Sequence, residues 1–195
     1  MKLLLHFALL SCAIAGCQSF AVAQTSNHSI SEINIYSAEV ERFTQINKEH
    51  RIFGDVSSAK TDKTDLWREF KSEKELEDTG NGENLNQMAT LWTKQGKVIA
   101  AKFNFTSPSG DWNHFINYYF RENGSLAKID AQLNTFEGNI SVVRQRYYNS
   151  TGPLIKSTET FRDLETHKPR KSADFMDNPI PIYLKVPDLP FHQLL

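Results

Sequence analysis

The chain has 195 residues, a formal charge of −1 and 39% hydrophobic residues. That is enough apolar surface for the core of one ordinary domain, and it excludes a basic nucleic-acid footprint or a polybasic membrane patch. Both cysteines, Cys12 and Cys17, precede Gln18, so disulfides, cysteine nucleophiles and cysteine-bound metals are excluded from everything downstream.

Met1 to Ala23 reads as an export signal. Lys2 supplies the charge, Leu3 to Ala15 the apolar stretch, and Ala21-Val22-Ala23 a small-x-small cleavage site. The apolar run is too short to span a bilayer as a helix. A second pattern overlaps it: Ile14-Ala15-Gly16-Cys17 is the small-residue run that precedes an acylated cysteine in bacterial lipoproteins, and use of Cys17 would tether the chain to a membrane. The two sites exclude one another, and the polar run from Gln18 to Gln24 favours cleavage after Ala23. About 170 residues then remain, periplasmic or secreted, as a single domain over 24–166 followed by a linker and tail over 167–195.

Ser37 to His50 places Val40, Phe43 and Ile46 or Asn47 at helical spacing, with Ser37 as cap and Glu41 and Lys48 facing water. Asp65 to Glu77 puts Leu66, Trp67, Phe70 and Lys74 or Leu76 on one stripe, although Trp67, Glu69 and Lys71 also alternate. Thr79 to Asn84, rich in Gly and Asn, leads into a sheet.

Gly96, Gly124 and Gly152 lie 28 residues apart, each after an aromatic residue (Trp92, Phe120, Tyr148) and before an aliphatic one (Val98, Leu126, Leu154). Each reads as the turn of a hairpin, Asn123-Gly124 most strongly because it tolerates positive φ at both central positions. The predicted strands are 86–94, 97–106, 112–122, 125–135, 140–149 and 153–162. Counting outward from two-residue loops pairs Phe120 with Ala127, Tyr118 with Ile129, Ile116 with Ala131 and His114 with Leu133. The first hairpin then pairs Trp92 with Ile99, Thr90 with Ala101 and Met88 with Phe103. One side comes out apolar; the other, with Phe115, Asn117, Tyr119, Lys128, Asp130 and Gln132, is mixed. After Phe161, His167 to Ser172 is a polar linker. Pro179, Pro181, Pro187 and Pro190 then hold the segment from Asp177 to Leu195 extended, either laid along the domain's own apolar surface or offered to a partner.

The fold class expected is α+β: N-terminal helices packed on the apolar side of a curved six-stranded antiparallel meander, with an extended proline-rich C-terminal tail. In the third hairpin, counting pairs Tyr148 with Ile155, Arg146 with Ser157, Arg144 with Glu159 and Val142 with Phe161. That sends Arg144, Arg146 and Glu159 to the apolar side, where charges need partners. Two readings follow. In one, Arg144 and Arg146 grip an anion in a groove walled by Trp112, His114 and Tyr118. In the other, Arg144 and Glu159 form a plain cross-strand pair near the sheet edge.

The loop with Ser107, Ser109 and Asp111 just ahead of His114 invites a hydrolase reading. It lacks a Gly-x-Ser-x-Gly elbow, and Pro108 and Gly110 read better as turn makers. The histidines have no metal-ligand spacing and no motif calls for a cofactor. Five Asn-x-Ser/Thr triplets, Asn104 among them, read as chance in an Asn- and Ser/Thr-rich chain.

The runs Thr106-Ser-Pro-Ser-Gly-Asp-Trp112 and Tyr118-Tyr-Phe-Arg-Glu-Asn-Gly124 resemble segments of uncharacterised exported bacterial proteins that share an SPSGDW…YYFREDG meander. The likeness covers roughly residues 60 to 165, with Asn123 standing where those sequences often have Asp, and it implies a fold element and no activity. The expected role is that of an exported, non-catalytic protein binding an unknown protein or small ligand through the sheet face or the tail, with no nucleic acid and a membrane only if Cys17 is acylated. The alternatives are a hydrolase using the Ser107–His114 loop with Arg144 and Arg146, or a lipid-anchored structural envelope protein.

Overall fold

The computed structural model describes residues 17–56, 66–80, 87–171 and 174–195. The leader before Cys17 and most of the Gly- and Asn-rich connection lie outside the described residues. The rest forms one antiparallel sheet in the order β2-β1-β3-β4-β5-β6-β7-β8-β9. The strands are β1 (Arg51–Asp55), β2 (Trp67–Phe70), β3 (Gln87–Lys94), β4 (Lys97–Thr106), β5 (Trp112–Phe120), β6 (Leu126–Thr135), β7 (Ile140–Tyr148), β8 (Leu154–Asp163) and β9 (Pro169–Arg170). Two helices, α1 (Cys17–Ile46) and α2 (Glu73–Gly80), complete the regular elements besides short 3-10 turns.

This corrects the expected fold class in three respects. First, the meander β3–β8 is extended by β1 and β2 at one edge and by β9 at the other. Trp67 to Phe70, expected to be helical, pairs as a strand with β1 through Ile52↔Phe70 and Asp55↔Trp67. The alternation of Trp67 and Glu69 prevails because a neighbouring strand satisfies the backbone where a lone short helix is marginal. Only Glu73–Gly80 stays helical, and Ser72 Oγ accepts the Glu75 amide at 3.1 Å ahead of it.

Second, α1 does not start at Ser37. The Ser37 hydroxyl donates back to the Asn34 carbonyl at 3.1 Å and sits inside the helix, a local bond that an interior serine tolerates. Ile33, Tyr36, Val40 and Phe43 form the packing stripe, and all of them follow Ala23.

Third, the coverings are exchanged. The α1 stripe packs on Trp92, Ile99, Ala100 and Tyr119 and on Ala127 and Tyr147, the mixed side of the sheet. The apolar side, with Phe103, Ile116, Tyr118, Phe120 and Ile129, is covered by the C-terminal tail through Ile180, Leu189 and Phe191, all buried. Prolines have already restricted the tail in the unfolded chain, so docking it extended costs less entropy than docking an unrestricted segment. Main-chain bonds pin it, Leu126 N to Leu184 O at 2.8 Å and Val186 N to Gly124 O at 3.0 Å.

Bulges set the register. Gln95 and Gly96 both have positive φ, 53° and 73°, the two-residue turn that was expected most strongly at Asn123-Gly124. A bulge then leaves Ile99 unpaired, so Trp92 faces Ala100 and Leu91 faces Ala101. Every side chain of β3 is therefore on the side opposite to the one counting gave it: Ala89 and Leu91 face the tail, Met88, Thr90 and Trp92 face α1. In the other two hairpins the loop holds one more residue, with Gly124 N bonded to Arg121 O and Gly152 N to Asn149 O. A bulge at Ala127 or Ile155 then restores the counted register, so Phe120 pairs with Leu126 and Tyr148 with Leu154, while Tyr118↔Ile129 and Arg144↔Glu159 stand as counted.

Candidate functional site

The anion groove expected on the tail side is occupied by the chain itself. Arg144, 8% exposed, donates from Nε to Glu159 Oε2 at 2.5 Å and pairs through Nη1 with Asp177 Oδ1 at 2.8 Å. The carboxylate it grips is thus supplied by the tail. Burial alone would lower the Arg144 pKa, but its bonds to Glu159 and Asp177 outweigh that and hold it above its usual value.

His114, 1% exposed, lies beside this pair with neither ring nitrogen partnered among the described residues. Burial first, and the Arg144 charge second, push its pKa from 6.5 to about 4 against the opposing pull of Asp177, so the ring is neutral at pH 7. Tyr118 donates to the Pro181 carbonyl at 2.9 Å, and burial drives its phenol far above the ordinary range. Arg146 bonds Tyr148 rather than joining Arg144. Trp112 packs with Phe161 and Phe175 on Leu133, Ile140 and Val142.

The Ser107–Asp111 loop bonds internally. Ser109 Oγ donates to Asp111 Oδ2 at 2.5 Å, and the Trp112 amide donates to Ser107 Oγ at 3.3 Å. Neither serine reaches His114, whose side chain is enclosed beneath the tail. Among the described residues no three His, Cys, Asp or Glu side chains are grouped to hold a metal, and no helix is long and apolar enough to cross a membrane.

The open site lies on the other side of the sheet, beyond the end of α1. A cavity of about 430 Å³ there is lined by Ile52, Met88, Thr90, Lys102, Phe103, Asn104, Phe115 and Asn117, with Glu73, Leu76 and Glu77 of α2 at its rim. That volume is within the range of about 300–1,000 Å³ typical of small-ligand sites. Lys102 Nζ is held by Glu41 Oε1 at 2.9 Å and lies 5.3 Å from the Trp92 ring, and Tyr119 donates to the same carboxylate at 3.2 Å. Glu41, expected to face water, is half-buried. Burial raises its pKa, but its bonds to Lys102, Tyr119 and Gln45 prevail and lower it.

Phe115 stands out on this side, 42% exposed in mid-strand. Its cross-strand partners are Asn104 on β4 and Gln132 on β6. Alternation along β5 puts Asn113 and Asn117 on the same face. Four side-chain amides are therefore neighbours of one open aromatic ring; Asn104 and Asn117 line the cavity with it, and Gln132 Nε2 already donates to Asn134 Oδ1 at 3.0 Å and Ser141 Oγ at 3.2 Å. Asn104 Oδ1 and Asn113 Oδ1 are both buried without a hydrogen-bond partner among the described residues, an uncommon state for amide oxygens.

None of these residues was among the candidates from sequence. The signal present was the run Asn113-His-Phe-Ile-Asn117, an aromatic residue with amides two positions away on each side. Comparison of the chain with protein-family models, curated proteins and solved structures finds no match in any of the three.

Proposed function

We propose that this chain is an exported, non-catalytic binding protein that takes a small polar ligand in the cavity between α2 and the open end of the sheet. The observation that carries the proposal is Phe115 on the wall of that cavity with the Asn104 and Asn117 amides beside it: a concave site that joins an apolar surface to a few convergent polar groups has the composition of a ligand site. The leader Met1–Ala23 and the resemblance to exported bacterial proteins support export. The tail-as-ligand alternative loses support because Leu189 and Phe191 are spent on the protein's own core.

The test is a fragment screen by 15N-correlation NMR on the intact chain, repeated on Asn117→Trp to fill the cavity. Amide shifts clustered on β3–β5 around Met88, Asn104 and Phe115, and lost in the variant, are expected. Fragments that cluster elsewhere, or bind the filled variant equally well, refute the site.

A further inference from the structure

We infer that the ligand of this cavity is a neutral saccharide, with one sugar ring laid on Phe115; the inference rests on the binding role proposed above and names its chemistry. Charge and polarity of the lining narrow the choice. An anion would need a free cation, yet Lys102, the one cation lining the cavity among the described residues, is already paired with Glu41 at 2.9 Å. A wholly apolar ligand would take water from the Asn104 and Asn117 amides of the lining and return no hydrogen bond. A hydroxyl donates and accepts at once, as does a carboxamide, so a ring of hydroxyls matches these amides.

The apolar surface beside those amides is the Phe115 face, set against the C–H face of a pyranose. Asn104, Phe115 and Gln132 sit on three neighbouring strands and Asn113, Phe115 and Asn117 along one. The strand lattice makes this patch roughly 10 Å by 13 Å, room for one or two sugar units. Glu73 and Glu77, exposed on the α2 rim, leave a cationic amine as the competing class, and the experiment separates the two.

The full chain, 15N-labelled, is titrated with maltohexaose, cellohexaose and chitohexaose, and in parallel with spermidine and inorganic phosphate. At least one hexaose is expected to shift the side-chain NH₂ signals of Asn104, Asn113, Asn117 and Gln132. Phe115→Ala should weaken that binding about tenfold while Phe115→Tyr retains it. Because Phe115 is partly exposed, both variants fold, which their unfolding midpoints verify. Two results overturn the inference: spermidine shifts that disappear in Glu73→Gln/Glu77→Gln, or no response to any hexaose at roughly 10 mM, well above a Kd of about 1 mM. Should the fragment screen still map to the cavity in either event, the saccharide assignment alone falls and the binding role stands.

Discussion

Phe191 is the sharpest point at which to test whether the C-terminal tail completes the core. Its ring is 1% exposed and stacks on Phe53 at 4.2 Å between centroids with planes 8° apart, while Trp67 and Phe103 lie 5.2 and 5.7 Å away. Truncating such a residue to alanine removes its transfer energy and leaves a cavity that partners held by sheet pairing fill poorly, a loss of about 3–5 kcal/mol. Against a total stability of about 5–15 kcal/mol this is a large share. With a urea m-value near 2 kcal/mol/M, Phe191→Ala should bring the midpoint down by about 2 M at unchanged slope. Trp67 touches the deleted ring, so its fluorescence reports the same transition locally. Met176→Ala serves as control: its side chain is 74% exposed, and such a change costs within about 0.5 kcal/mol. A loss below about 1 kcal/mol in Phe191→Ala would falsify the claim that the tail is part of the hydrophobic core and return it to the status of a removable strand.

His114 has a folded pKa of about 4 against 6.5 for the free side chain. Its neutral form therefore contributes stability above pH 6.5 that is lost as pH falls toward 4, by about 3 kcal/mol; urea midpoints at pH 7, 5.5 and 4.5 should show the decline, and His114→Leu should flatten it, whereas an identical slope in the variant would assign the acid lability to other groups. Arg144→Met should cost about 1–2 kcal/mol rather than the 3–5 of a sealed ion pair, because the Glu159 and Asp177 side chains are 42% and 57% exposed and regain water; a double-mutant cycle with Asp177→Asn measures the coupling, and no coupling would mean the contact is incidental. Gly96 has φ of 73° with nothing within 4 Å of an added Cβ, so Gly96→Ala should cost only the left-handed backbone penalty of about 1–2 kcal/mol, and a larger loss by thermal melt would point to a steric contact that the geometry lacks.

The periodic glycines made the hairpins legible, since an aromatic-x-x-x-Gly-x-aliphatic unit repeated every 28 residues leaves few alternatives to successive chain reversals. Register was legible where loop and bulge compensated one another, as at Tyr118↔Ile129, and illegible where they did not. Ile99 is the instructive case. Nothing in Lys97-Val-Ile-Ala-Ala101 marks Ile99 as the unpaired residue, for the bulge is chosen by what each face must bury: with it, Leu91 joins Phe103 on the tail side and Trp92 meets Val40 and Phe43. β1 escaped because a strand paired on both sides and buried on both faces shows no alternation to read, and β2 because its four residues also fit a helical stripe.

The exchange of coverings explains why the candidate site moved. Sequence put the helices on the apolar side, and the arginines of β7 on that same side asked either for an anion in a groove or for Glu159 across the strands. Once the tail takes that side, Asp177 arrives with it, and the arginine that looked like a receptor becomes a clasp holding the strap over His114. The side left to α1 is then only partly roofed, because the α1 stripe ends at Phe43 and covers the hairpin-turn end of the sheet, where Trp92, Tyr119 and Tyr147 lie. Beyond it the strands still present a face that no element of the described structure packs against, and Phe115 at its centre was set down in counting as one member of a mixed surface. Roofed at one end and hollow at the other, this side places Phe115 with Asn104 and Asn117 where a ligand can rest. The functional reading thus depends less on which residues are polar than on where α1 stops.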